Sequence, residues 1–288
     1  MHTEDLPLLV FTLLSQWAVG TFLVAVVIRL CTGKETALAA TRLGIMAAGP
    51  AAALSSVIAA LHLGSPLAAP NAMNNLATSW LSREGLFTSM FIALWFVVFL
   101  LHRQGKINRL LDLAAAVLGL AAIYSTSGIY ATSVKPAWAS INTYITFFGT
   151  TALLGITGVA FTNVLGAKAA ADQAVIKIFR VAGIVALACL IVQMAYLPVY
   201  FAVLAAGDAA AQATVTLLGG SFAMAVALKW ILALGGSAIF LYSLYNPAKV
   251  AAGMPKNAVF LAVGLILVGE IIGRYIFYAT AITTTVGQ

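Results

Sequence analysis

The residues best suited to chemistry are Glu270, Arg274 and Tyr278, spaced four positions apart in the apolar run Gly264–Tyr278. A spacing of four places the three side chains on one face of a helix. A charged group at bilayer depth costs about 3 kcal/mol or more and persists where it pairs, faces the bundle interior and serves a site. The pattern therefore predicts a polar site within the membrane, with a purely structural Glu270–Arg274 ion pair as the alternative.

Two other apolar runs carry ionisable groups at their ends. His62 closes the second run and precedes Gly64, Ser65 and Pro66, a sequence that ends a helix sharply and leaves backbone groups free to bond a ligand. An imidazole can accept a proton or donate a hydrogen bond to a carbonyl or phenolic oxygen. Glu84 begins the third run, where the helix dipole stabilises a carboxylate. A satisfied interfacial histidine and an ordinary first-turn acid are the simpler interpretations.

Several other polar side chains have simple membrane explanations. Lys229 lies about two turns into the seventh apolar run, where a long side chain commonly snorkels to the surface. Aromatic residues close to span ends or in loops have the positions of interfacial anchors. These are Tyr124, Tyr130, Tyr144, Tyr196, Tyr200, Trp80 and Trp138.

The composition is that of a membrane protein, with 62% hydrophobic and 8% charged residues against roughly 25% charged in soluble domains. Runs of about 17 to 25 apolar residues predict eight transmembrane helices. Their approximate ranges are 7–30, 42–63, 85–101, 110–131, 143–165, 178–203, 222–245 and 257–280. The expected fold is an all-α, polytopic integral membrane bundle that forms a single transmembrane domain over residues 1–288.

Basic residues divide the connections between spans into two classes. After the first, third, fifth and seventh spans lie Arg29, Lys34, Arg42, Arg103, Lys106, Arg109, Lys168, Lys177, Arg180, Lys249 and Lys256. The other side has Arg83 and Lys135. The positive-inside rule then places the odd-numbered connections in the cytoplasm and both termini outside. The net charge of +7 is explained by topology, and no basic run interleaved with aromatics indicates nucleic acid.

This topology puts the unusual polar residues in the outer half of the membrane and leaves almost nothing ionisable in the inner half. Haem ligation by two histidines is excluded, since of His2, His62 and His102 no two lie at membrane depth. Cys31 and Cys189 are too few and too far apart for an iron–sulfur cluster. We therefore expect no metal in this protein, and any electrons would come from an organic carrier and leave to a partner.

Three segments resemble one known family. LHLGSP (61–66), LSREG (81–85) and GEIIGRYIFY (269–278) are similar to the membrane anchor subunits of dimethyl sulfoxide reductase. The length, the eight spans and the predicted outside termini also match. The resemblance implies a haem-free subunit of the bacterial inner membrane that binds menaquinol near the outer face during anaerobic respiration. Its electrons would pass to an iron–sulfur subunit and then to a molybdopterin catalytic subunit.

The resemblance also implies roles for residues. His62 would bond one quinol oxygen and take its proton, and Glu84 would orient His62 or accept the proton next. Arg274, held by Glu270, would bond the opposite oxygen or dock the partner. Tyr278, Gly64 and Ser65 would complete the quinol-binding set, and Tyr275 stands where the family motif has a small residue.

Two other functions fit part of the sequence. A proton-coupled transporter would also place charge at membrane depth, with polar residues on both sides of mid-depth and interrupted helices. A purely structural anchor would need the outer loops and not His62. The long connection at 64–84, with Asn71, Asn74, Asn75 and Trp80, is the expected docking surface for an iron–sulfur partner.

Overall fold

The computed structural model describes residues 6–62, 74–166, 172–246 and 255–284, apart from the side chains at positions 61 and 62. The described residues contain helices and no strand. Nine helices fall in these ranges: α1 Leu6–Cys31, α2 Lys34–His62, α3 Trp80–Arg103, α4 Arg109–Ala131, α5 Ile141–Gly166, α6 Gln173–Ala205, α7 Ala209–Gly219, α8 Ala223–Tyr245 and α9 Lys256–Ala279.

Eight of these helices are long and apolar enough to cross a membrane, which confirms the predicted all-helical, multi-pass architecture. The apolar runs did not predict α7, an 11-residue apolar helix that is too short to span a membrane. The predicted starts of α2 and α6, at 42 and 178, were also too late. Both helices start with polar turns, at Lys34 and Gln173, which a hydropathy boundary leaves out.

The start of α6 is fixed by Asp172. Its carboxylate accepts hydrogen bonds from the Thr36 hydroxyl on α2 at 2.8 Å and from the backbone N–H of Ala174 at 2.8 Å. These bonds favour the ionised carboxylate and so lower the pKa of Asp172, the Thr36 bond most of all. The same side chain therefore caps α6 and ties it to the first turn of α2.

The spans pack as two groups that share α5. Helix α1 packs most extensively on α2 and α5, α3 pairs with α4, and α8 pairs with α9. The α1–α5 contact is close because glycines face each other: a Cβ added to Gly20 would overlap the backbone of Gly155. Helix α9 contacts α5 and α1 as well as α8, so it lies where the two groups meet.

The lateral surface is apolar, as expected of helices that face lipid. Leu110, Met224 and Ile231 are 76%, 80% and 66% exposed. Polar side chains are instead buried between helices, and many threonine and serine hydroxyls bond a carbonyl of their own helix, as Thr41 does with Ala37. Charged residues that remain in the interior are therefore the informative ones.

One buried charge cluster, at the end of the bundle opposite Arg274, contradicts the expectation that this end holds almost nothing ionisable. Arg29, 1% exposed in the last turn of α1, donates to Asp112 on α4 at 2.8 Å and to Thr41 on α2 at 3.1 Å. Its third nitrogen lies 2.7 Å from Nδ1 of His102, which belongs to α3 and not to a loop. The prediction failed because Arg29 was counted as a topology signal and Asp112 was not considered.

Candidate functional site

Helix α9 carries Glu270, Arg274 and Tyr278 into the bundle. The three side chains are 2%, 3% and 4% exposed, and their contacts run to α1, α4 and α5. The spacing of four predicted from the sequence therefore produces one buried polar face. The other faces of α9 carry apolar residues such as Leu267 and Ile271, which are 41% and 40% exposed.

Arg274 is held by a neutral amide and by aromatic rings. Its Nη2 donates to Oε1 of Gln16 on α1 at 2.8 Å, and Gln16 in turn donates to the carbonyl of Phe147 on α5 at 3.1 Å. The guanidinium carbon lies 3.9 Å from the ring centroid of Phe147 and 5.3 Å from that of Phe277. Its Nη1 is buried and has no hydrogen-bond partner among the described residues.

Glu270 does not pair with Arg274, contrary to the expectation from their spacing. Its Oε2 accepts a hydrogen bond from the Thr150 hydroxyl on α5, and its Oε1 is buried without a partner in the described part of the protein. Among the described residues the salt bridge of Arg29 with Asp112 is the sole one. Each of the two side chains instead bonds a neutral group on a neighbouring helix: Thr150 for Glu270 and Gln16 for Arg274.

Tyr278 joins α9 to α4 through a second tyrosine. The hydroxyls of Tyr278 and Tyr130 are 2.6 Å apart, and the Tyr278 hydroxyl also donates to the Leu8 carbonyl at 3.3 Å. Tyr130 is 6% exposed and packs edge-on against Trp138, itself 8% exposed. The interpretation of Tyr130 and Trp138 as interfacial aromatics is wrong, since both are enclosed by the bundle.

Glu84 is buried and bonded across the α3–α4 contact. Helix α3 begins at Trp80 after the capping residue Ser79, so Glu84 lies beyond the first turn. Its side chain is 7% exposed and accepts a hydrogen bond from the Thr126 hydroxyl. Thr126 lies one helical turn before Tyr130 on α4. The carboxylate of Glu84 and the Tyr130–Tyr278 pair therefore belong to one polar region, as their mutual electrostatic interaction also indicates.

The remaining predicted residues divide into those that lie outside the described part of the protein and those that lie away from the buried face of α9. His62 is the last residue of α2, and its side chain lies outside the described residues. Gly64 and Ser65 lie outside them altogether, as does Asn71 of the expected docking loop. Asn74 and Asn75 are described and exposed. Tyr275 is 40% exposed and packs against Phe222, away from the buried face of α9.

Sequence reasoning missed the neutral partners of the charged groups: Gln16, Thr126, Tyr130 and Thr150. A glutamine in an apolar span was a signal that could have been used, since an amide at membrane depth needs partners. Threonines in spans are too common to single out. Lys229 was expected to snorkel outward, but it is 8% exposed, with its ammonium 4.0 Å from the Trp230 ring centroid.

Chemically, the α9 face combines acceptors, donors and unsatisfied atoms. Arg274 Nη1 can donate and Glu270 Oε1 can accept, and neither is engaged by a described residue. Buried polar atoms without a partner are uncommon, and this face offers a ligand one donor and one acceptor. No group of three or more His, Cys, Asp or Glu side chains that could hold a metal ion occurs in the described ranges.

Comparisons with known proteins agree with this architecture. The sequence is 27% identical over 156 residues to the anaerobic dimethyl sulfoxide reductase chain YnfH of Escherichia coli (strain K12), covering 53% of this protein and 55% of the relative. It is 28% identical over 160 residues to an anaerobic dimethyl sulfoxide reductase chain of Haemophilus influenzae, covering 53% and 56%. The match thus spans about half the length of these two relatives. Against a second anaerobic dimethyl sulfoxide reductase chain of Escherichia coli (strain K12), 26% identity extends over 97% of this protein and 96% of the relative.

The family model described as DMSO reductase anchor subunit (DmsC) matches residues 1–280. That range includes every described helix and both buried charge clusters. Because the match covers nearly all of the sequence, this multi-pass membrane protein belongs to the DmsC family of DMSO reductase anchor subunits.

Proposed function

We propose that the protein is the membrane anchor of a molybdoenzyme complex similar to dimethyl sulfoxide reductase, and that it oxidises menaquinol. The observation that supports this best is the buried face of Glu270, Arg274 and Tyr278, which leaves a donor and an acceptor without protein partners among the described residues. The anchor holds neither haem nor metal. Menaquinol is its bound substrate, and menaquinone is the product.

Oxidation of a quinol releases two electrons and two protons, so the site must bind both oxygens and accept protons. Arg274 donates from Nη1 to one quinol oxygen. His62 bonds the other oxygen and takes the two quinol protons in succession, the second after the first has been passed on. Glu84, whose Oε1 is occupied by Thr126, orients His62 or accepts the proton next. Efficient transfer requires these groups within hydrogen-bond reach of the substrate.

Tyr278, Gly64 and Ser65 complete the binding set around the head group. The site lies at the end of the bundle where α2 and α9 finish and α3 begins, which the positive-inside rule assigns to the outer face of the bacterial inner membrane. Both termini lie on that side. Protons are then released outside, and no charge is separated if the terminal acceptor is also reduced outside.

Electrons leave the anchor for an iron–sulfur partner subunit and then reach a molybdopterin catalytic subunit during anaerobic respiration. The connection before α3 is the proposed docking surface because Asn74 and Asn75 are exposed there. Arg83 shapes this segment by donating to the carbonyls of Leu76 at 3.0 Å and Ala77 at 2.5 Å, and it stacks 4.5 Å from the Trp80 ring centroid.

The test uses the complex purified with its partner subunits. A fluorescent quinol-site inhibitor is titrated against the native complex and against His62→Ala and Glu84→Gln, with Glu35→Gln as a matched control on an exposed glutamate. Turnover is measured with a quinol and with a reduced dye that feeds the partner directly. We expect loss of inhibitor binding and of quinol-driven turnover in the two site variants, while dye-driven turnover and assembly persist.

Other outcomes would favour the alternative functions. Full quinol-driven turnover in His62→Ala and Glu84→Gln would reduce the buried face to helix packing and support a purely structural anchor. Proton-coupled uptake of a solute by the isolated protein in vesicles would support a transporter. Buried charge does occur at both ends of the bundle, as a transporter predicts, but the described spans are continuous helices, and α2 and α6 continue through Pro50 and Pro198.

A further inference from the structure

A small cavity lies on a different face of α9 from the Arg274 side chain. It is lined by α5, α6, α8 and α9, and Leu218 of α7 borders it. Its volume is about 90 Å³, which is room for several water molecules or a small polar group. Four aromatic residues line it: Tyr200, Phe201, Trp230 and Phe277.

Gln193 of α6 lines this cavity with an unsatisfied amide. The side chain is 3% exposed, and both Nε2 and Oε1 are buried without a hydrogen-bond partner among the described residues. The amide reaches this depth because Gly149 on α5 has no side chain: a Cβ there would collide with Nε2. Leaving a buried polar group unpaired is costly, so a ligand that bonds the amide gains affinity by satisfying it.

Lys229 of α8 enters the same cavity. It is 8% exposed, and its side chain crosses Gly273, where a Cβ would lie 3.0 Å from the lysine Cε. The ammonium lies over Trp230 and forms no hydrogen bond or salt bridge with another described residue. A buried ammonium is stable only when it is paired or hydrogen-bonded, and a tryptophan face meets that need in part.

No anionic side chain is bonded to Lys229 among the described residues. Lys229 interacts electrostatically with Glu270, which attracts it, and with Arg274, which repels it. Glu270 is already engaged by Thr150, so its carboxylate is not bonded to the ammonium.

We propose that this cavity binds a phosphate group, with the Lys229 ammonium and the Gln193 amide N–H as donors. Lys229 lies six residues into α8, about 9 Å from the helix end, which is close to head-group depth. Basic pockets between transmembrane helices bind anionic lipid head groups on the cytoplasmic side of membranes, and this cavity offers similar donors at the opposite end of the bundle. The phosphate can belong to an anionic phospholipid or be free in solution. Neither donor belongs to the proposed quinol site, so the two proposals can fail separately.

The purified complex, stripped of lipid in detergent, is titrated with phosphatidylglycerol, with phosphate-free diacylglycerol and with inorganic phosphate. Thermal unfolding and native mass spectrometry report binding. We expect a saturable rise in Tm with phosphatidylglycerol or with inorganic phosphate, and half-saturation at least about tenfold weaker in Lys229→Met, since a hydrogen bond to a charged group is lost. Which of the two probes acts identifies the source of the phosphate.

Lys135→Met is the matched control, because the Lys135 ammonium also lies 4.1 Å from a tryptophan centroid, that of Trp138, but does not line the cavity. It should bind as the native complex does. Gln193→Leu is the second variant and should weaken binding without removing charge. An equal response to diacylglycerol, the absence of any saturable response, or unchanged binding in both Lys229→Met and Gln193→Leu would overturn the proposal.

Discussion

Two buried arginines at opposite ends of the bundle differ in how fully they are bonded. Arg29 uses all three nitrogens, on Thr41, Asp112 and His102. Arg274, nearly as buried at 3% exposed, has one hydrogen bond from Nη2 and an unpartnered Nη1 among the described residues. A guanidinium satisfied on every nitrogen acts as a clamp between helices. One that keeps a free donor can bind a ligand.

The difference extends to the carboxylates. Asp112 forms a salt bridge with Arg29, whereas Glu270 and Glu84 are bonded by threonine hydroxyls and by no basic side chain of the described residues. Uncompensated buried charge is costly and usually serves a function. The comparison therefore assigns stability to the Arg29 end and chemistry to the Arg274 end.

Breaking the Arg29–Asp112 salt bridge, the clamp between α1 and α4, should have the largest effect on stability. Asp112→Ala leaves the Arg29 guanidinium buried without its anion, and we expect a loss of about 3–5 kcal/mol in stability, measured by thermal unfolding of the complex. Inhibitor binding per folded complex should be unchanged. The double variant Arg29→Met/Asp112→Leu should recover most of the stability. Equal destabilisation by Asp112→Ala and by the double variant would contradict the clamp.

Arg274→Gln should impair quinol binding and turnover more than it impairs stability. Removing the free donor should weaken inhibitor binding and quinol-driven turnover by about ten- to a hundredfold, because hydrogen bonds to charged groups contribute about 1.5–3 kcal/mol. Stability should fall less than in Asp112→Ala, since no partner charge is bonded directly to Arg274. Arg109→Gln, on an exposed arginine at the other end of the bundle, is the control. A stability loss as large as that of Asp112→Ala with unchanged quinol turnover would make Arg274 a second clamp.

Tyr130→Phe should have a smaller effect on both properties. It removes the hydroxyl that bonds Tyr278, at a cost of about 1 kcal/mol in thermal stability, while Tyr278 keeps the Leu8 carbonyl. Quinol-driven turnover should change less than in Arg274→Gln. Tyr275→Phe, on a side chain 40% exposed, should change neither property. A larger loss of turnover than in Arg274→Gln would move the centre of the site to the tyrosine pair.

Asp172→Ala should have the smallest effect, about 1 kcal/mol from the lost helix cap, and none on quinol turnover. The Asp172 pKa is lowered in the folded state by the Thr36 and Ala174 bonds, so its stabilisation is present above the ordinary aspartate pKa and disappears as pH falls through the lowered value. The difference in Tm between the native protein and Asp172→Ala should therefore shrink in acid. A constant difference across that range would contradict the role of the ionised carboxylate.

The sequence predicted the parts of the site that lie on one helix. The spacing of Glu270, Arg274 and Tyr278 placed them on one face because helical periodicity is local. Their partners Gln16 and Thr150 come from helices 258 and 120 residues away in the sequence. Such pairings depend on which helices pack together, and no local pattern encodes them.

Long apolar runs and loop charges were enough to predict the all-helical fold and the eight spans. In a bilayer, a single apolar segment has few ways other than a helix to hydrogen-bond all of its backbone N–H and C=O groups. Tertiary packing alone decided that Arg29 pairs with Asp112, that Tyr130 and Trp138 are enclosed, and that Lys229 enters a cavity. Hydropathy predicts which segments lie within the membrane. Whether a side chain at that depth faces lipid, a partner or a cavity depends on the rotation and neighbours of each helix.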